Sequence, residues 1–314
     1  MLRVNDRANV FGAIRFASLA TILVILFCPS LGYSYRLQLR EQERDLSGIA
    51  DSDPEVFRKA KDLGVKVLVV EGRKPFLAYW VPENFKALSQ RRVLVVMHGT
   101  NGNAYRHLLN YLEVAKKRQF ALLSVQWGWP GQGRNVRGKE RYTYIRDPRQ
   151  SYKLISAGLR YLDTRYAIDK EKCAWLGFSR SSTQCIIFAH LDKNEGENYF
   201  RLFIAVSGGA GPNMPLMREL LSGRYGSQPI RDQHFYLWAG RQDRGRQESM
   251  RQTQAFIEQL GGVVERFTVG PEGHGGFNHN LNYQLEAVRV WFSLCASSPE
   301  VYGGQTSIFN FICQ

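Results

Sequence analysis

A series of short, almost wholly apolar runs separated by segments of helical spacing limits what this chain can fold into. The runs are Val93–Met97 (VLVVM), Phe120–Val125 (FALLSV), Cys173–Phe178, Leu202–Val206 (LFIAV) and Phe235–Ala239 (FYLWA), and Val263–Val269 continues the strands after them. A strand covered on both faces reads this way, because none of its positions needs to meet water. Between the first two, Ala104–Lys117 spaces Leu108, Leu109, Tyr111, Leu112 and Val114 as one face of a helix. Arg149–Tyr166 does the same with Tyr152, Ile155, Leu159 and Leu162, and Ser181–Leu191, Gln247–Leu260 and Leu281–Phe292 supply further helices. Val65–Val70 and Pro75–Val81, rich in β-branched and aromatic residues, read as the first pair of the sheet. Strand and helix alternate, which predicts an α/β fold: a mostly parallel, eight-stranded sheet with helices on both faces. Two segments break the alternation, Trp127–Arg146 and Gly208–Gln233, the second with a short helix around Met214–Leu221. Both follow strands, so both are expected as short insertions at the carboxyl edge, where ligands bind in such sheets.

Chemistry concentrates at that same edge. Gly177-Phe178-Ser179-Arg180-Ser181 lies directly after a strand and directly before a helix. A serine hydroxyl is a poor nucleophile unless it is exposed, aimed and served by a base, and a sharp strand-to-helix turn does the aiming. Ser181 stands where the usual pattern has a second glycine, and the competing reading of Ser179 is an ordinary helix-capping serine. His98-Gly99-Thr100-Asn101-Gly102 closes the strand VLVVM. A turn there can aim a backbone N–H of Thr100 or Asn101 at a tetrahedral oxyanion, with the N–H of Arg180 as the second donor. His98 itself reads as structural. For the acid, Asp243 follows the strand FYLWA, whereas Ser207-Gly208-Gly209-Ala210-Gly211 after the preceding strand holds no carboxylate. An acid so placed can orient a histidine and stabilise its cation. Of the six histidines only His274 sits in a glycine-rich loop after the last strand, with His279 as the alternative nearby.

Serine, then acid, then histidine, each at the end of the expected strand, is the chain order of the α/β-hydrolases. From Val65 to Phe292 the chain resembles that superfamily. Within it, Leu159–Ser182 (LRYLDTRYAIDKEKCAWLGFSRSS) and the HGTNGNA loop resemble secreted polyhydroxybutyrate depolymerases and feruloyl esterases. The resemblance implies an ester substrate, a Ser179–His274–Asp243 triad and neither cofactor nor metal. Glucuronoyl esterases also carry an arginine beside the nucleophile, which implies that the Arg180 guanidinium assists the oxyanion. A serine peptidase or amidase shares this chemistry, and a catalytically silent hydrolase fold used for binding is the reading from another class. Trp127, Trp129, Tyr142 and Tyr144 of the first insertion form either a substrate wall or packing for the insertion. Arg134, Arg137 and Arg141 beside them either meet a substrate carboxylate or are simply solvated.

The remainder bounds location and partners. Arg3, Arg7 and Arg15 precede the apolar run Phe16–Phe27, which is shorter than the ~20 residues of a membrane span. With Ser30 and Gly32 behind it, residues 1–32 read as a secretory signal, the alternative being an uncleaved anchor that leaves the body outside the cytoplasm. The expected division is then a charged lead-in at 33–62, the hydrolase domain at 63–294 and a tail at 295–314. The expected location is secreted or periplasmic. Cys295 and Cys313 bracket the tail and could tie it down, whereas Cys173 and Cys185 lie on a strand and a helix that diverge and are expected as two buried thiols. A formal charge of +14 favours anionic surfaces or polysaccharide, or serves solubility alone, and no nucleic-acid motif is present.

Overall fold

A computed structural model describes residues 37, 39–41, 54–70, 75–134 and 140–296, with side chains for all of these except 130–134 and 140–142. The signal region, Cys28, Cys313 and the tail beyond residue 296 lie outside the described residues. So do the side chains of Tyr142, Arg134 and Arg141, and the whole of Arg137.

Among the described residues the sheet has nine strands in the order β1 (Leu39–Glu41), β2 (Lys66–Val70), β3 (Phe76–Trp80), β5 (Ala121–Gln126), β4 (Val93–Met97), β8 (Cys173–Phe178), β9 (Phe200–Val206), β10 (His234–Gly240) and β11 (Val263–Gly270). Strands β1, β2, β3 and β5 pair antiparallel, and from β5 onward every pairing is parallel. Eight of the nine are the strands expected from the apolar runs. The ninth, β1, comes from the charged lead-in, where Glu41 accepts hydrogen bonds from Tyr79 and Tyr161 and pairs with Lys66.

Alternation along each strand builds two cores. Val93, Val95 and Met97 face one side, with Trp175 and the helices α4 (Pro148–Tyr166), α5 (Cys185–Asn194) and α7 (Arg244–Gln259). Leu94 and Val96 face the other, with α1 (Pro54–Asp62), α2 (Ala104–Leu109), α3 (Leu112–Arg118) and α9 (Leu281–Ala296). Fully burying one large apolar side chain contributes about 1.5–3 kcal/mol, so these two layers hold the sheet against chain entropy. Cys173 and Cys185 are separate buried thiols, and Cys295 is buried at the end of α9. Among the described residues no helix is long and apolar enough to cross a membrane.

The irregular segments fall where the site lies. Within Trp127–Arg146 a two-stranded hairpin forms from β6 (Gly128–Arg134) and β7 (Glu140–Tyr144). The second insertion contains α6 (Pro215–Leu221), and the loop after β11 leads into the single turn α8 (Gly276–His279). The helix expected over Ala104–Lys117 is two helices. α2 ends at Leu109 with Asn110 as its C-cap, and α3 restarts after Tyr111, whose backbone is no longer helical at φ −109° and ψ 0°.

Candidate active site

Ser179 sits between β8 and a helical turn, Ser181–Gln184, that runs on into α5. Its φ is +56°, a left-handed conformation that only glycine adopts without strain. The surroundings enforce it: the Ser179 N–H donates to the Val206 carbonyl at 2.8 Å, and the Ser179 carbonyl accepts from the Ser182 N–H at 3.1 Å. Gly177 has no room for a side chain, since a Cβ there would lie 2.3 Å from the Trp175 ring and 2.8 Å from the Ser182 nitrogen. Ser181 is buried, and its hydroxyl accepts from the Phe178 N–H at 2.9 Å and donates to the Met97 carbonyl at 2.7 Å. The departure from a second glycine therefore adds a tie between the turn and strand β4.

Three side chains converge here. The Ser179 hydroxyl donates to His274 Nε2 at 2.8 Å, and His274 Nδ1 donates to Asp243 Oδ2 at 2.5 Å. A carboxylate can only accept, which puts the ring proton on Nδ1 and leaves the Nε2 lone pair for the serine. Asp243 stands at the N-cap of α7 yet makes no side-chain cap. Its carboxylate turns to the histidine instead of the free helix N–H groups that such a residue usually serves. The His274 loop is held from below by Glu272, whose carboxylate accepts from Tyr283 at 2.9 Å and from Asn280 at 3.1 Å. Against desolvation, which opposes it, a hydrogen bond from its own backbone N–H together with these two holds the Glu272 carboxyl below its ordinary range. Phe178 packs on the His274 ring at 5.2 Å. His279, the alternative base, ends α8, and the bonds to Ser179 and Asp243 both come from His274.

The HGTNG turn lies opposite. Its backbone at Asn101 has φ +56°, and the Asn101 N–H donates to the Tyr144 hydroxyl at 2.8 Å. That hydroxyl donates on to the Asn101 side-chain oxygen at 3.2 Å. Thr100 is exposed, and among the described residues its N–H and that of Arg180 have no protein partner. Of the aromatic candidates, Trp127 is 2 % exposed and belongs to the core, so it packs the insertion and forms no exposed substrate wall. It donates to the His98 carbonyl at 2.9 Å and supports the Tyr144 ring at 4.8 Å. Trp129 is half-buried in the hairpin. The Arg180 guanidinium lies 4.5 Å from the Tyr144 ring centroid, a cation–π contact. Sequence reasoning missed the bond from Tyr144 to Asn101, since 43 residues separate the partners and nothing local links them. Among the described residues no cluster of three or more His, Cys, Asp or Glu is placed to hold a metal ion.

Beneath the turn lie two buried histidines. His98 bonds through Nδ1 to the Gly99 carbonyl, and the Nε2 atoms of both His98 and His107 have no partner among the described residues. Burial pushes the His98 pKa down to about 4 and that of His107 to about 3, the latter helped by the neighbouring His98. Both folded values lie below the unfolded value of about 6.5. Their contribution to stability is therefore fully present above pH ~6.5 and is lost as pH falls towards the folded values. Urea midpoints measured from pH 7 to pH 4.5 should fall steadily, and His107→Phe should flatten that slope; an equal slope in the variant would show that His107 does not carry it.

Strand order, the turn after β8 and the insertions at the carboxyl edge define an α/β-hydrolase fold. Solved structures with this fold that the chain resembles include fungal esterases from Rhizomucor miehei, at TM-score 0.53 and 13 % identity over 81 % of this chain and 91 % of that one. A ferulic acid esterase matches at TM-score 0.53 and 13 % identity, over 83 % of this chain and 99 % of that one. A Pyrobaculum calidifontis esterase matches at TM-score 0.50 and 13 % identity, over 81 % and 94 %. No protein-family model and no curated protein matches the sequence.

Proposed function

We propose that this protein is a serine hydrolase that cleaves carboxylic ester bonds through an acyl-enzyme. The observation that carries the proposal is the hydrogen-bonded chain from Ser179 through His274 to Asp243, built on a strained turn at the carboxyl edge of the sheet. That all three solved structures named above are esterases lends it support.

In this mechanism the Ser179 oxygen attacks the ester carbonyl while His274 Nε2 takes its proton. The carbonyl oxygen becomes an oxyanion, held by the Arg180 and Thr100 N–H groups; that of Asn101 already serves Tyr144. Removing one such donor typically lowers turnover by about 100- to 1,000-fold. The tetrahedral intermediate collapses, the ester C–O bond breaks and His274 protonates the departing alcohol. Water then attacks the acyl-enzyme with His274 again as base, releasing the acid and restoring the serine. Asp243 keeps the imidazole in the right tautomer and stabilises its cation. The His274 side chain is 42 % exposed and that of Asp243 23 %, which gives water and a bulky ester direct access.

The protein is proposed to work outside the cytoplasm, on the strength of the basic and apolar sequence at residues 1–32. Labelling with a fluorophosphonate tests the hydrolase reading. The probe is expected to modify Ser179 stoichiometrically and to stop hydrolysis of 4-nitrophenyl acetate. Refusal of the probe, together with inactivity on short and long 4-nitrophenyl esters, would move the protein to the class of non-catalytic binding modules.

A further inference from the structure

Among the described residues, the arginines beside Ser179 pair with no carboxylate. Arg149, Arg160, Arg224, Arg251 and Arg266 each pair with a glutamate. Arg180 and Arg246 are both exposed, and neither has an acidic partner among the described residues. The carboxylates of the two loops that form the site are already engaged, Asp243 by His274 and Glu272 by Tyr283 and Asn280.

Each arginine is nevertheless tethered. Arg180 directly follows the nucleophile and lies on the Tyr144 ring, which is itself fixed by its hydroxyl on Asn101 and by the Trp127 ring behind it. A stacked guanidinium keeps its N–H edge free for a planar anion. On the other side, Arg246 donates to the Gly208 carbonyl at 3.4 Å. Gly208 abuts the turn so closely that a Cβ on it would lie 2.2 Å from the Ser179 carbonyl oxygen. Arg246 also occupies the first turn of α7, which holds no acidic residue. A cation there is repelled by the helix macrodipole, so the fold gains nothing electrostatically from its charge.

We propose that the substrate is an ester carrying a free carboxylate, bound by the Arg180 guanidinium on its Tyr144 platform with Arg246 contributing from the opposite side of the turn. The inference rests on the hydrolase reading and names the substrate class of that site. Guanidinium and carboxylate match as a two-pronged, charge-assisted pair, and the net positive charge, +14 for the full chain and +12 once Arg3, Arg7, Arg15 and Asp6 of residues 1–32 are taken off, draws such a substrate in.

The test compares kcat/KM for mono-4-nitrophenyl glutarate, which keeps a carboxylate, with that for neutral 4-nitrophenyl butyrate. At low ionic strength the wild type should favour the anionic ester by about 10-fold or more, the scale of one hydrogen bond to a charged group. Raising salt to about 0.5 M should shrink the preference, since the site is exposed and screened. Arg180→Gln should bring the ratio close to one, Arg180→Lys should restore part of it, and Arg246→Gln should lower it less. The ratio is taken within each variant, so damage to the serine or its turn affects both esters alike. A wild type that favours butyrate, or a ratio unmoved by both Arg180→Gln and salt, overturns the proposal. Cleavage of neither ester with Ser179 still labelled by a fluorophosphonate overturns it also and leaves the hydrolase reading standing. Loss of labelling as well brings down that reading and this one together.

Discussion

Ser179→Ala should fold, keep its secondary structure and lose ester hydrolysis by about five to six orders of magnitude in turnover, the scale seen when a triad nucleophile is removed from other serine hydrolases. What distinguishes this chain is a second expectation at the same position. Alanine inherits the left-handed backbone of Ser179, at φ +56°, together with its strain. Glycine does not, because without a Cβ it adopts that conformation freely. Ser179→Gly should therefore be just as inactive but more stable than Ser179→Ala by about 1 kcal/mol, or about 2–4 °C in thermal midpoint for a domain of this size. The comparison separates two consequences of one residue: the hydroxyl supplies the chemistry, and the side chain imposes the strain that aims it. Equal midpoints for the two variants would mean that the turn is relaxed and that Ser179 is aimed by packing alone. Retention of esterase activity in either would remove Ser179 as nucleophile.

The parts of this molecule legible in the sequence are those set by local pattern. Strands β4, β5, β8, β9 and β10 could be read because burial on both faces leaves runs such as VLVVM and FYLWA with almost no polar residue. Asp243 and His274 could be picked out because topology puts strand ends at one edge, and few candidates occupy those ends. What escaped depends on partners distant in the chain. Strand β1 is three residues, LRE, and has a place only because Glu41 finds Tyr79, Tyr161 and Lys66. Helix α1 is mostly charged and buries only Ala60. The first insertion was visible as rich in glycine and aromatics, but not as a hairpin whose last residue, Tyr144, would reach the oxyanion turn. That contact occupies the Asn101 N–H and not that of Thr100, a difference the sequence does not carry. Ser181 was legible only as small enough; that its hydroxyl ties the turn to Met97 follows from β4 and β8 being neighbours.

The site's dependence on fold-level packing should show most directly at Gly208, which no triad motif includes. It follows β9, and a Cβ added there would lie 1.8 Å from the Ser182 hydroxyl and 2.2 Å from the Ser179 carbonyl oxygen. The first atom can move by rotating a side chain. The second cannot, because it is backbone in the nucleophile turn and already accepts the Ser182 N–H. Gly208→Ala must therefore displace the turn or strand β9, and β9 is fixed between β8 and β10. Overpacking of this kind costs about 1–3 kcal/mol, and a shift of roughly 1 Å in a reacting group can lower turnover about 100-fold. We expect both effects in Gly208→Ala, with turnover of neutral 4-nitrophenyl esters reduced in the protein that remains folded at 25 °C. Gly245→Ala is the matched control: that glycine lies in α7 with nothing within 4 Å of an added Cβ. Alanine there should match or slightly exceed wild-type stability, since glycine is the poorer helix former. If Gly208→Ala lost stability while turnover per folded molecule stayed at the wild-type level, the turn would be tolerant of displacement, and the positioning of Ser179 would have to come from the His274 side of the site instead.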